Sequence, residues 1–135
     1  MATFTSQQVK ELAEYFLAMA QSIGAFRRRH FDTLSKQQRE ELKDLSAAIL
    51  KCADDLFTLA AILVMDDVKG SLIKVGELTD KMKHTYQTLQ DIQKGINIAS
   101  AALNLCDAVI KTDPGKILVA LDNLSGSLKS LSTDS

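Results

Sequence analysis

At 135 residues the chain is long enough for one hydrophobic core and short for two, and its near-balanced charge, a formal -1, provides no global field for nucleic acid. The absence of tryptophan, a single proline and the lack of any alternating β-branched run between turn signals argue for helices rather than sheet. The longest uncharged runs, Leu56–Met65 and Gly95–Cys106, fall short of the ~20 apolar residues that cross a bilayer, and no basic leader precedes the first amphipathic stretch, so the expected location is cytoplasmic.

In chain order, Thr5 and Gln8 form a capping box, with Phe4 placed to staple onto Val9. Val9, Leu12, Phe16, Met19, Ile23 and Phe26 then recur three and four apart, one apolar seam that predicts a helix over about 6–31. Arg27, Arg28, Arg29 and His30 place positive charge at the negative end of its dipole.

After a short turn, Ser35 and Gln38 repeat the capping box, which predicts a second helix over about 36–65, antiparallel to the first. This helix carries two seams. One is Leu42, Leu45, Ile49, Cys52, Leu56, Leu59 and Leu63; the other, turned about 100° around the axis, is Leu50, Ala53, Phe57, Ala60 and Val64. Two seams imply a central helix covered on two sides, and hence a bundle rather than a two-stranded coiled coil.

A third run, about 67–111, contains no proline. Val68, Leu72, Val75, Met82, Tyr86 and Leu89 keep a heptad in which Thr79 is the polar member. After a stutter, Leu89, Ile92, Ile96, Ala99, Leu103, Cys106 and Ile110 continue on a rotated seam. As one helix this run measures about 67 Å at ~1.5 Å per residue. The apolar phase passes through Gly95 without loss, and a glycine inside a helix costs only about 1 kcal/mol, so the pattern favours a continuous or kinked helix. The alternative is a break near Gly95, with Asn97 capping a further helix. Asp113 as cap and Pro114 at the first helical position open a last helix over about 114–131, with its seam at Ile117, Leu121, Leu124, Leu128 and Leu131. The expected fold is all-α: an up-and-down antiparallel bundle of four long helices in a single domain, residues 1–135, with five helices if the third run breaks.

Lengths then raise a question of cover. A continuous third helix outruns its neighbours, and the exposed remainder of its seam, together with that of the last helix, predicts association. The residues concerned are Ile96, Ala99, Leu103, Ile110, Leu121, Leu124 and Leu128, and the expected assembly is a homodimer or larger. Asn97, Asn104 and Asp107 lie among small residues here, suited either to close helix contact or to an exposed flank.

Chemistry is sparse. Lys81 and Arg27 stand three residues before His84 and His30, where a Glu-x-x-His metal motif needs a glutamate, and no zinc, calcium-loop or phosphate-loop pattern occurs. Asp80 and His84 share a helix face but have no second pair. Cys52 and Cys106 sit on apolar stripes, which predicts two buried, reduced thiols. No catalytic residue, metal or cofactor is therefore assigned, and the protein is not expected to be an enzyme.

One cluster stands out. All four arginines of the chain, Arg27, Arg28, Arg29 and Arg39, fall at one hairpin tip with His30 and Lys36. Arginine suits bidentate contact with carboxylate or phosphate, so the tip is a candidate docking site; the plainer reading is dipole complementation at a soluble turn. The expected function is a non-catalytic helical interaction module that self-associates or docks a partner protein. The alternative is a membrane-active helical protein, such as a component of a helical pore-forming toxin system, using the apolar hairpin Ile96–Leu131.

Overall fold

A computed structural model describes residues 2–3, 5–58, 64–65, 68–111 and 113–133. They form an all-α bundle of five helices, α1 (Ser6–Arg29), α2 (Lys36–Thr58), α3 (Val68–Thr88), α4 (Ile92–Ile110) and α5 (Pro114–Thr133). A two-residue antiparallel pair, β1 (Ala2–Thr3) and β2 (Val64–Met65), closes one end. Direction alternates along the chain. Tyr15 lies against Gly76 and Phe26 against Tyr86, so α1 and α3 run parallel, while α2 and α4 return the other way from short turns.

The capping chemistry read from the sequence is in place. Gln8 N–H donates to Thr5 Oγ1 at 3.1 Å and Thr5 N–H to Gln8 Oε1 at 2.9 Å; Ser35 and Gln38 repeat both bonds. Asp113 Oδ1 accepts from Lys116 N–H at 3.1 Å, capping α5. Each such cap satisfies a donor that the helix itself cannot, a contribution of about 1 kcal/mol.

The long third run is two helices. Residues 89–91 are not helical, and Asp91 caps α4 by accepting from Lys94 N–H at 3.1 Å. The expected continuous helix over 67–111 is thus corrected, and the break falls at Asp91, four residues before Gly95. Gly95 instead lies buried in the first turn of α4, where the ring of Phe26 rests against its Cα. Tyr86, at the end of α3, packs on Phe26 with ring centroids 4.9 Å apart and donates its hydroxyl to Gly95 O at 2.6 Å. One buried bond spans the turn and one ring fills it, which outweighs the small gain from continuing the helix.

The second helix does not reach the expected 65: α2 is described over Lys36–Thr58 and Val64–Met65 is extended. Leu59, Ala60 and Leu63 of its predicted seams lie outside the described residues. The first seam holds, with Leu42, Ile49, Cys52 and Leu56 buried between α1 and α4. The second is only partly covered, since Ala53 is buried but Leu50 and Phe57 are 43% and 45% exposed. Centrality is shared by α1, which packs on α2, α3 and α4, and α4, which packs on α1, α2 and α5.

Folding back supplies the missing cover. Ile96, Ala99, Leu121, Leu124 and Leu128 are buried in the common core, and Leu103 and Ile110 pack against it half-buried. Burying a leucine or isoleucine side chain is worth about 1.5–3 kcal/mol. The association expected through these seven residues rested on a helix without cover, and here its cover comes from the same molecule. Thr79 fits the same core because its Oγ1 donates to Val75 O at 2.7 Å, one turn back.

The two cysteines are not free. Cys52 of α2 and Cys106 of α4 form a buried disulfide, with Cα atoms 6.4 Å apart and 54 residues apart in sequence, which corrects the expectation of reduced thiols. Placing two cysteines on facing core seams satisfies disulfide geometry without moving either helix.

Candidate functional site

Turn 30–35 and turn 89–91 lie at the same end of the bundle, and the basic cluster joins them. Arg29 donates from Nη1 to Gln87 O, in the last turn of α3, and from Nη2 to Leu89 O, just past its end. His30 Nε2 lies 3.0 Å from Leu89 O and within hydrogen-bond reach of the Arg29 guanidinium. A guanidinium here satisfies carbonyls that the helix end leaves unpaired, and it favours the dipole.

The next two arginines brace the α1–α2 turn. Arg27 Nε donates to Arg39 O at 3.1 Å, and Arg39 Nε to Phe31 O at 3.0 Å. Both guanidinium groups lie over the ring of Phe31, that of Arg27 at 5.3 Å and that of Arg39 at 4.3 Å from its centroid, and the residue remains 40% exposed. Such cation–π contacts are worth about 0.5–1 kcal/mol each at exposed sites. Arg28 and Lys36 are exposed and engage no carboxylate among the described residues.

Sequence reasoning therefore located the cluster but missed how its members divide. Arg27, Arg29 and Arg39 bind backbone carbonyls and hold two turns together, and His30 Nε2 accepts from the Arg29 guanidinium; Arg28 and Lys36 face solvent. Among the described residues no carboxylate lies within 4.0 Å of any of the four guanidiniums, although Asp32 is part of the same turn. The ion pair at that distance, Lys51–Asp55 at 3.2 Å, is elsewhere on α2. The acceptors are neutral, so the positive charge of the tip is oriented without being cancelled.

A second feature adjoins the tip. Between α1 and α3 a groove of about 470 Å³ is lined by Ala18, Gln21, Ser22, Ala25, Phe26 and Arg29 on one side and Lys83, Tyr86 and Gln87 on the other. Phe26 and Tyr86 hold the helices apart at its lower end, while Ala18, Ser22 and Ala25 fill little of the space above. Ser22 turns its hydroxyl back to Ala18 O at 2.9 Å, which leaves this wall largely apolar. Burial pushes the Tyr86 phenol far above its usual range, the backbone N–H of Ala99 only partly offsetting it. This tyrosine is neutral structure and not a proton donor at ordinary pH. No periodicity in the sequence marks the groove, because it depends on which helices become neighbours.

The remaining sequence candidates are dispersed. Asp80 and His84 are exposed on α3, and among the described residues no three His, Cys, Asp or Glu side chains converge in a way that could hold a metal ion. Asn97, Asn104 and Asp107 are exposed on α4; the latter two border a shallow cleft of about 370 Å³ against α5. Among the described residues no helix is long and apolar enough to cross a membrane. Comparison with protein-family models, curated proteins and solved structures finds no match to this chain.

Proposed function

We propose that the protein is a non-catalytic helical interaction module whose basic end docks an acidic segment of a partner protein. One observation carries this reading: three of the four guanidiniums at a single tip, those of Arg27, Arg29 and Arg39, are oriented by neutral carbonyls, two of them also by an exposed aromatic ring, and none of the four has a carboxylate within ion-pair distance among the described residues. Pre-oriented arginines beside an accessible aromatic ring match the composition of binding hot spots, and little side-chain entropy remains to be lost on docking. The disulfide speaks for an oxidising compartment rather than the cytoplasm.

The test uses the two cations that support no backbone. A labelled Asp- and Glu-rich peptide titrated with the protein should bind in a salt-dependent manner, and Arg28→Glu with Lys36→Glu should weaken it at least tenfold without lowering the melting temperature. Equal binding by the double variant refutes the docking reading. Self-association through the seam at Ile96 and Leu124, and likewise a membrane-active role for the α4–α5 hairpin, each require this core to open. Sedimentation and liposome dye release test those two alternatives.

A further inference from the structure

We propose that the groove between α1 and α3 binds a small amphipathic carboxylate with an aromatic or short acyl body. The site shares Arg29 with the tip but otherwise rests on Lys83 and the apolar wall along α1, which the docking reading does not use.

Size and lining come first. A cleft of about 470 Å³ falls within the range of small-molecule sites, which are mostly apolar with a few placed polar groups. Here the apolar part is Ala18, Ala25 and the faces of Phe26 and Tyr86, and the positive groups are Arg29 and Lys83.

Charge sets the class of ligand. Arg29 has five N–H donors, and its recorded contacts, to His30 Nε2, Gln87 O and Leu89 O, leave one on Nη1. The ammonium of Lys83 contacts no carboxylate among the described residues. One guanidinium N–H and one ammonium suit a singly charged, two-oxygen group; a phosphate monoester carries more charge and asks for more donors.

The opposite end of the groove orients the ligand. Beyond the groove's Ala18 end, outside its lining, Tyr15 donates to Glu11 Oε1 at 2.8 Å, and Glu11, Asp80 and Glu14 lie close enough to raise its phenol pKa, the Glu11 hydrogen bond most of all. An anion is repelled from that end and drawn to Arg29, so the carboxylate lies toward the two turns and the apolar body lies along Ala18 and Ala25.

The test compares three probes on the intact, disulfide-bonded protein: naphthylacetate, its neutral analogue naphthylethanol, and naphthyl phosphate. Calorimetry should give saturable one-to-one binding of the carboxylate, at least tenfold tighter than either other probe, and amide shifts should map to residues 18–29 and 83–87. Lys83→Glu, a change at an exposed position, should cost at least tenfold. Ala25→Leu should abolish binding by filling the groove. Equal affinity for the neutral analogue, tighter binding of the phosphate, or binding unaltered in Lys83→Glu would each overturn the assignment. Arg28→Glu with Lys36→Glu bears on the tip alone, so failure of either proposal is distinguishable from failure of the other.

Discussion

Replacing Gly95 by alanine tests the packing that folds the long apolar run back on itself. A Cβ at this position would sit 2.5 Å from Phe26 Cε2 and 2.6 Å from Cζ, well inside contact distance. Phe26 has little room to yield, being 1% exposed and packed against His30 at 4.7 Å and Tyr86 at 4.9 Å. Overpacking a core site costs about 1–3 kcal/mol, and the rigidity of these neighbours argues for the upper end. Helix propensity works in the opposite direction, favouring alanine by about 1 kcal/mol. The expected net loss is about 2 kcal/mol, or roughly 6–8 °C in melting temperature for a domain of this size. Gly126 is the internal control, because nothing lies within 4 Å of a Cβ built there. Gly126→Ala should therefore stabilise the protein by about 1 kcal/mol. Circular-dichroism melts of the two variants should move in opposite directions. If Gly95→Ala also melts higher, Phe26 does not rest on Gly95 and the account of the turn is wrong.

Two further predictions concern the disulfide and the buried tyrosine. Cross-linking positions 54 apart removes chain entropy worth about 4 kcal/mol from the unfolded state, so Cys52→Ala with Cys106→Ala, or a reductant in the unfolding experiment, should lower the denaturation midpoint accordingly. Alkylation of two thiols in the untreated native protein would refute the bond itself. Tyr86 makes the fold sensitive to alkali: its folded pKa is raised, so its effect is neutral below about pH 10, the unfolded value, and above it the unfolded chain releases a proton that the native state keeps. Stability should then fall by about 1.4 kcal/mol per pH unit. Of the two tyrosines, only Tyr15 should show reversible phenolate absorbance before unfolding, with its own pKa also raised, chiefly by the bond to Glu11. Two reversible transitions in the native state would contradict the burial of Tyr86.

Local signals were legible because the sequence itself contains both partners of the interaction. Thr5 with Gln8, Ser35 with Gln38, and Asp113 before Pro114 are complete within a few residues, and all three start helices where expected. A break near Gly95 was one of two readings the sequence allowed, and what decides for it and places it at Asp91 was hidden for the opposite reason. The apolar phase continues on both sides, and the groups that favour the turn, Phe26 and Arg29, come from α1. Buried thiols and a buried disulfide leave the same trace, two cysteines on apolar stripes, so only the facing of α2 and α4 separates them. The basic tip could be seen as composition, whereas the division between bracing and solvent-facing side chains required the carbonyls they reach. The groove has no sequence signature, since Ala25 and Lys83 become neighbours only when α1 and α3 pack in parallel.

The covalent link between α2 and α4 also determines what a protease would leave behind. Residues 52 to 106 form a closed ring containing all of α3, with α1 and α5 as arms on either side. A peptide bond cut anywhere within that ring would yield a nicked species that still migrates as one piece, and its halves would separate only once the sulfur bridge is broken.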